Sequence, residues 1–304
     1  MALDTAVTAQ PVGTWTRRIF ALNIVAQCAI VVTGALVRLT ASGLGCPTWP
    51  DCSDGSLIPV ARQAEGFHKY IEFGNRMLTF ALALIIIAAL IAAIRHRPRR
   101  KILIGLSFLL FAGVAAQAVI GGITVLTGLN PLSVAAHFLV SAGLIAVSVG
   151  LYERGNESFD GPKIALVRKE LLFVARALVV LGFVIVVLGT VVTGSGPHSG
   201  DFDVVNRFPL DPRVVSWLHA DVVLLFVGLT FALALGLRLT QASAVAQRRV
   251  WVLIAIVLLQ GFVGYTQYFT GLPELLVAVH VAGACAVWWA TLRIPYALRE
   301  RTAN

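Results

Sequence analysis

Charge is what this sequence has least of. Only 13% of its 304 residues are Asp, Glu, Lys or Arg, while 58% are hydrophobic. Soluble domains carry roughly a quarter charged residues, so this scarcity excludes an ordinary soluble domain. Alternation of apolar and polar residues over about ten positions is also missing, which excludes a transmembrane barrel. Long, continuous apolar runs are there instead, and these favour helices. A span needs roughly 20 apolar residues to cross ~30 Å of hydrocarbon. Eight stretches qualify, at about 18–38, 72–94, 102–126, 132–152, 170–194, 214–238, 249–270 and 275–293. The expected fold class is an all-α polytopic membrane protein with eight transmembrane helices.

Acidic residues are outnumbered, 15 to 24, giving a formal charge of +9. Such a balance can signal nucleic acid, but its distribution excludes that partner. Arg17 and Arg18 precede the first run, and "RHRPRRK" (95–101) separates the second and third. Arg154 to Lys169 lies between the fourth and fifth, Arg248 and Arg249 open the seventh, and Arg293, Arg299 and Arg301 close the eighth. These are alternate loops, as the positive-inside rule requires for cytoplasmic termini. The remaining loops carry Arg62, Lys69, Arg207 and Arg213 only. "TRRIFAL" (16–22) faintly resembles a twin-arginine export signal, but no small-residue cleavage site follows it, so a retained span is expected.

Cysteine is scarce, with four residues. Cys46 and Cys52 fall in the first outer loop, "GLGCPTWPDC", where two cysteines six apart can close a small disulfide loop. No histidine stands beside them, which disfavours a metal site. Cys28 and Cys285 lie inside apolar runs and are expected only to pack.

The chain repeats itself. "QAVIGGITVLTGLNPLSVAAH" (117–137) aligns without gaps to "QGFVGYTQYFTGLPELLVAVH" (260–280) at an offset of 143. "GALVRLTASG" (34–43) matches "GTVVTGSG" (189–196) more weakly. The expected architecture is two tandem pseudo-symmetric four-helix bundles. An even number of spans per unit makes the repeats parallel.

Six histidines are present. His96 lies in the basic loop, His198 in an outer loop, and His68 just ahead of the second span. His137, His219 and His280 instead fall near the outer ends of spans 4, 6 and 8. Ionisable groups at that depth are costly and face the bundle interior. A single one could simply bridge helices. Repeat-equivalent positions in two units point to a ligand that takes one imidazole from each of two helices, and haem is such a ligand. Zinc would need three or four donors, and a proton relay would need buried carboxylates, of which spans 5–8 offer only Asp221.

His137 matches His280. The counterpart of His219 is found by laying "SWLHADVV" (216–223) over "EFGNRMLT" (72–79), which sets it opposite Asn75. A neutral amide is a poor iron ligand. Glu72 lies one turn before Asn75, and Arg76 can pair with a haem propionate. Arg38 and Arg76 are candidates for propionate or headgroup contact.

The string "GALVRLTASGLGCPTWPDC" (34–52), "IEFGNR" (71–76) and the repeated histidines resemble the haem A synthase family over residues 20–295. The resemblance implies oxidation of the C8 methyl of haem O to a formyl group, giving haem A for cytochrome oxidase. It implies a haem B axially ligated by His219 and His280, and a substrate-haem site at His137, Asn75 and Arg76 with Glu72 as the catalytic residue. The family's "ExxH" string reads Glu72-Phe73-Gly74-Asn75 here, so one imidazole is replaced. Cys46 and Cys52 match the family's outer-loop pair. Haem O synthase and cytochrome oxidase assembly factors are the implied partners. The expected location is a bacterial cell membrane, with the haem sites toward the outer face. The expected division is a cytoplasmic tail over 1–17, an N-terminal bundle over 18–155, a linker over 156–169, a C-terminal haem B bundle over 170–295 and a tail over 296–304. A di-haem electron-transfer subunit is the competing class. It explains the histidines but leaves Glu72 without a role.

Overall fold

The computed structural model describes residues 10–303. Residues 1–9 of the expected N-terminal tail, and Asn304, lie outside them. Eight helices are long and apolar enough to cross a membrane. They are α1 (Thr14–Leu39), α2 (His68–Arg95), α3 (Lys101–Leu126), α4 (Pro131–Asn156), α5 (Lys169–Ser195), α6 (Pro212–Leu239), α7 (Ala244–Phe269) and α8 (Glu274–Ala297). The protein is an all-helical, multi-pass membrane protein, as its apolar runs require.

Local chemistry sets several helix starts. Pro131 and Pro212 open α4 and α6, where a missing N–H costs nothing. Asn130 and Asp211 precede them, and their side chains accept from the N–H groups of Leu132 and Arg213. Ser243 caps α7 in the same way through Ala246 N–H.

The helices extend beyond the apolar runs. The fourth run ends near residue 152, but α4 continues through Asn156. Hydropathy has no means of seeing that Glu153 and Arg154 are buried, 6% exposed each, in ion pairs. Two short strands were also not anticipated. β1 (Lys163–Ala165), in the stretch between α4 and α5, pairs antiparallel with β2 (Arg299–Arg301) in the C-terminal tail. Three residues are too few for an alternating pattern to register.

Packing follows chain order. α1 contacts α2 and α4, and α3 contacts both α2 and α4. α5 contacts α6 and α8, and α7 contacts both α6 and α8. Each set of four thus closes a ring in which α2 stands diagonal to α4 and α6 diagonal to α8. Between the sets, α1 and α4 meet α8, and α4 also meets α5. One apolar cluster fills each ring, and a third, including Ile24, Ile145, Val149, Cys285 and Trp288, fills the seam. Trp288 Nε1 donates to the Ala142 carbonyl across that seam at 2.9 Å. In lipid, close approach replaces the hydrophobic drive between helices. Gly113 on α3 shows how: a Cβ there would overlap Leu144 Cδ2 on α4.

Candidate functional site

Four positions on the even-numbered helices share one depth. Asn75 and His219 each lie seven residues past the first residue of α2 and α6. His137 and His280 each lie six past the first residue of α4 and α8. At 1.5 Å per residue, all four sit about 10 Å inside their helix starts. Each carries a buried polar atom without a hydrogen-bond partner among the described residues: Asn75 Oδ1, His137 Nδ1, His219 Nδ1 and His280 Nδ1. Unpaired buried groups of this kind cost about 1–3 kcal/mol each, and here they recur at matched places.

The surroundings of the imidazoles match as well. Gln117 Nε2 donates to the His137 carbonyl at 2.9 Å, and Gln260 Nε2 donates to the His280 carbonyl at 2.8 Å. Gly121 faces His137, since a Cβ there would lie 3.3 Å from Cε1; at Gly264 the distance to His280 Cε1 would be 3.1 Å. Gly189 faces His219 in the same manner at 3.6 Å. A side chain at Gly121 or Gly264 would crowd the ring, so these two glycines form cradles, while Gly189 stands at ordinary contact distance. The turns behind them also correspond. Gly128-Leu129 and Gly271-Leu272 both pass through the left-handed region, with φ of 59° and 57° in the first and 80° and 61° in the second. His219 and His280 stand on diagonal helices of one ring. Paired imidazoles on facing diagonal helices, glycine cradles and orphaned nitrogens fit a flat macrocycle with an axially ligated iron.

Glu72, Arg76, Cys46 and Cys52 come together in a separate knot. Cys46 and Cys52 form a disulfide. Glu72 Oε2 accepts from Cys46 N–H at 2.6 Å, and Oε1 accepts from Arg76 Nε at 3.1 Å and Nη2 at 2.6 Å. Arg76 also donates to the carbonyls of Asp51, Cys46 and Thr48 at 3.0, 2.9 and 3.1 Å. The guanidinium expected at a propionate is therefore directed into the disulfide loop, and the expected catalytic carboxylate is fastened to it. A backbone loop offers an arginine several carbonyls at once, which spacing in sequence does not reveal. Between the cysteines, Trp49 lies directly over Gly122, next to the Gly121 that faces His137. Sequence reasoning missed Trp49; the only hint is its place between two prolines inside the cysteine pair.

Arg38 does not point at the histidines either. Its Nε donates to the His198 carbonyl at 2.8 Å and its Nη2 to that of Thr193 at 3.2 Å, joining α1 to the loop after α5. His198 Nε2 in turn donates to Leu272 O at 2.9 Å. His68 shares a 2.8 Å hydrogen bond with Ser42. A cavity of about 440 Å³ lined by residues including Ile19, Ile91 and Arg95 lies at the opposite end of α2 and contains none of the four matched positions.

Comparison with known proteins gives a consistent picture. The family model described as cytochrome oxidase assembly protein, COX15-CtaA, matches residues 17–292. The chain is 36% identical to a Heme A synthase of Geobacillus kaustophilus over 113 residues, which is 37% of this chain and 34% of that protein. It is 33% identical to a Heme A synthase of Geobacillus thermodenitrificans over 119 residues, 39% of this chain and 36% of that protein. Against a Heme A synthase of Lysinibacillus sphaericus it is 32% identical over 173 residues, 55% of this chain and 54% of that protein. The matched region thus spans about a third to a half of the length of these curated relatives.

Proposed function

Because the chain belongs to the COX15-CtaA family of cytochrome oxidase assembly proteins, we propose that it is a haem A synthase, oxidising the C8 methyl of haem O to a formyl group. The carrying observation is the set of four depth-matched positions on the even-numbered helices, each with an unpartnered buried polar atom. Two of them would hold a cofactor and two would receive a substrate.

His219 and His280 would hold haem B in the C-terminal four-helix set, over 170–295. Turning a methyl into a formyl group removes four electrons, and haem B, when bound, supplies one-electron transfer. His137 would hold the iron of substrate haem O in the N-terminal set, over 18–155, with Asn75 on the facing helix. Glu72 lies one turn before Asn75 on α2, and we assign it the positioning of the reacting edge and the handling of its protons. Arg76 fixes that carboxylate from the other side. Trp49, over Gly122, would close the site toward the outer loop.

In this reading the two sets are parallel pseudo-symmetric repeats with cytoplasmic termini and outward-facing haem sites. Haem O synthase would supply the substrate, and oxidase assembly factors would take the product.

The test is haem extraction from cells that make haem O, with and without this protein. Haem A is expected only when both are present; unconverted haem O overturns the proposal. His219→Ala and His280→Ala should each abolish the low-spin haem B spectrum, and retention in both removes the C-terminal assignment.

A further inference from the structure

The four matched positions carry four unpartnered polar atoms but only three imidazoles. His219 and His280 offer two nitrogen donors, which fill both axial positions of a haem iron. His137 and Asn75 offer one.

Glu65 Oε2 lacks a partner among the described residues, but Glu65 lies ten residues before Asn75 and ahead of α2. The other candidate donors near Asn75 are engaged elsewhere. Both oxygens of Glu72 are committed, one to Cys46 N–H and one to Arg76. His68 is held by Ser42 and packs edge-on against Phe202 at 5.8 Å. Lys69 Nζ donates to the carbonyls of Val60 and Ala61 at 2.7 and 3.2 Å. Cys46 and Cys52 are bonded to each other. The backbone opposite is open as well. Gly189 would bring a Cβ within 3.6 Å of His219, whereas Gly34, in the matching segment of α1, would meet nothing within 4 Å.

Resting on the haem reading above, we infer that the N-terminal set ligates its haem from one side only, through His137. The Asn75 side is then a binding site for a small exogenous ligand of diatomic size, hydrogen-bonded by the Asn75 carboxamide. With no protein donor on Oδ1, the amide is free to turn its N–H toward such a ligand. The substitution of asparagine for histidine thus converts a closed coordination site into an open one.

The experiment uses full-length protein in detergent, purified with its haems and titrated with haem O. It is followed by absorption and electron paramagnetic resonance, with carbon monoxide on the ferrous form and cyanide on the ferric form. One haem should be low-spin and silent to both probes, and a second should be high-spin and bind both. His137→Ala should remove the second alone. Asn75→His should turn it low-spin and abolish most carbon monoxide binding. Asn75→Leu should keep it high-spin but weaken cyanide binding about tenfold, the worth of one hydrogen bond. A second haem that binds but is low-spin and silent in the unsubstituted protein overturns the inference and leaves the haem reading standing. An unchanged carbon monoxide response in Asn75→His also overturns it. Failure of haem O to bind at all overturns the N-terminal haem reading, and the inference with it.

Discussion

At the scale of single residues, Glu72 has two partners whose loss would look different. Its carboxylate pins Cys46 N–H and neutralises Arg76. Glu72→Gln keeps an acceptor for Cys46 N–H, whereas Glu72→Ala leaves that donor unpaired and strips the guanidinium of its counter-charge, though not of its carbonyl partners, at a cost of about 2 kcal/mol for a charge-assisted bond. Glu72→Ala should therefore open the disulfide loop to a water-soluble reductant, measured as the rate of thiol appearance, and Glu72→Gln should not. If both variants stop haem A formation, the charge matters to the chemistry; if only Glu72→Ala does, the loop matters. The placement of His137, His219 and His280 is legible from sequence because a histidine in an apolar run has few reasons to be there. The company Glu72 keeps is not legible, because backbone carbonyls of a distant loop leave no mark in the residue pattern.

At the scale of elements, one buried carboxylate bridges helices at the end where α4 finishes and α7 begins. Glu153 on α4 accepts from Arg249 on α7 at 2.8 Å and from Arg293 on α8 at 2.6 Å, so it ties the two four-helix sets. Removing one partner of a buried ion pair leaves the other charges uncompensated. Glu153→Ala should destabilise the protein by about 3 kcal/mol, read as a lower melting temperature in detergent, and unaltered melting would show the pairs to be dispensable. The opposite ends are closed differently. Gly43 N–H donates to Gly200 O at 2.8 Å, and Asn206 Nδ2 donates to Gly128 O at 2.7 Å. A Cβ on Gly43 would lie 2.8 Å from Leu129 Cδ1 and 2.9 Å from Gly200 O, so the loop after α5 seats directly on the ends of α1 and α3. The eight helices are legible because length and apolarity decide them. Their polar ends and the two short strands are not, because both depend on partners far along the chain.

At the scale of the whole molecule, acid should loosen the face that carries Asp160. Hydrogen bonds from Arg100 hold the Asp160 carboxyl below the usual carboxylate range, and the charges of Arg100 and Arg154 act in the same direction. A depressed carboxyl contributes stability above its unfolded value, and that stability is lost as pH falls through the folded one. The melting temperature should therefore drop below the ordinary carboxylate range, and Asp160→Asn should start lower at neutral pH and flatten that drop. An identical acid response in Asp160→Asn would assign it to other groups. Asp160 does not act alone. Glu157 pairs with Arg154, Arg299 and Arg301, and β1 between α4 and α5 zips onto β2 beyond α8. This arrangement has a consequence for biosynthesis. Residues 299–301 are made after all of α5 to α8, whereas their pairing partners at 163–165 emerge before α5. The first half must wait in the membrane with an unpaired strand until the segment beyond α8 is made. Docking of β2 onto β1 can then latch the two halves only after all four helices of the second half have been made.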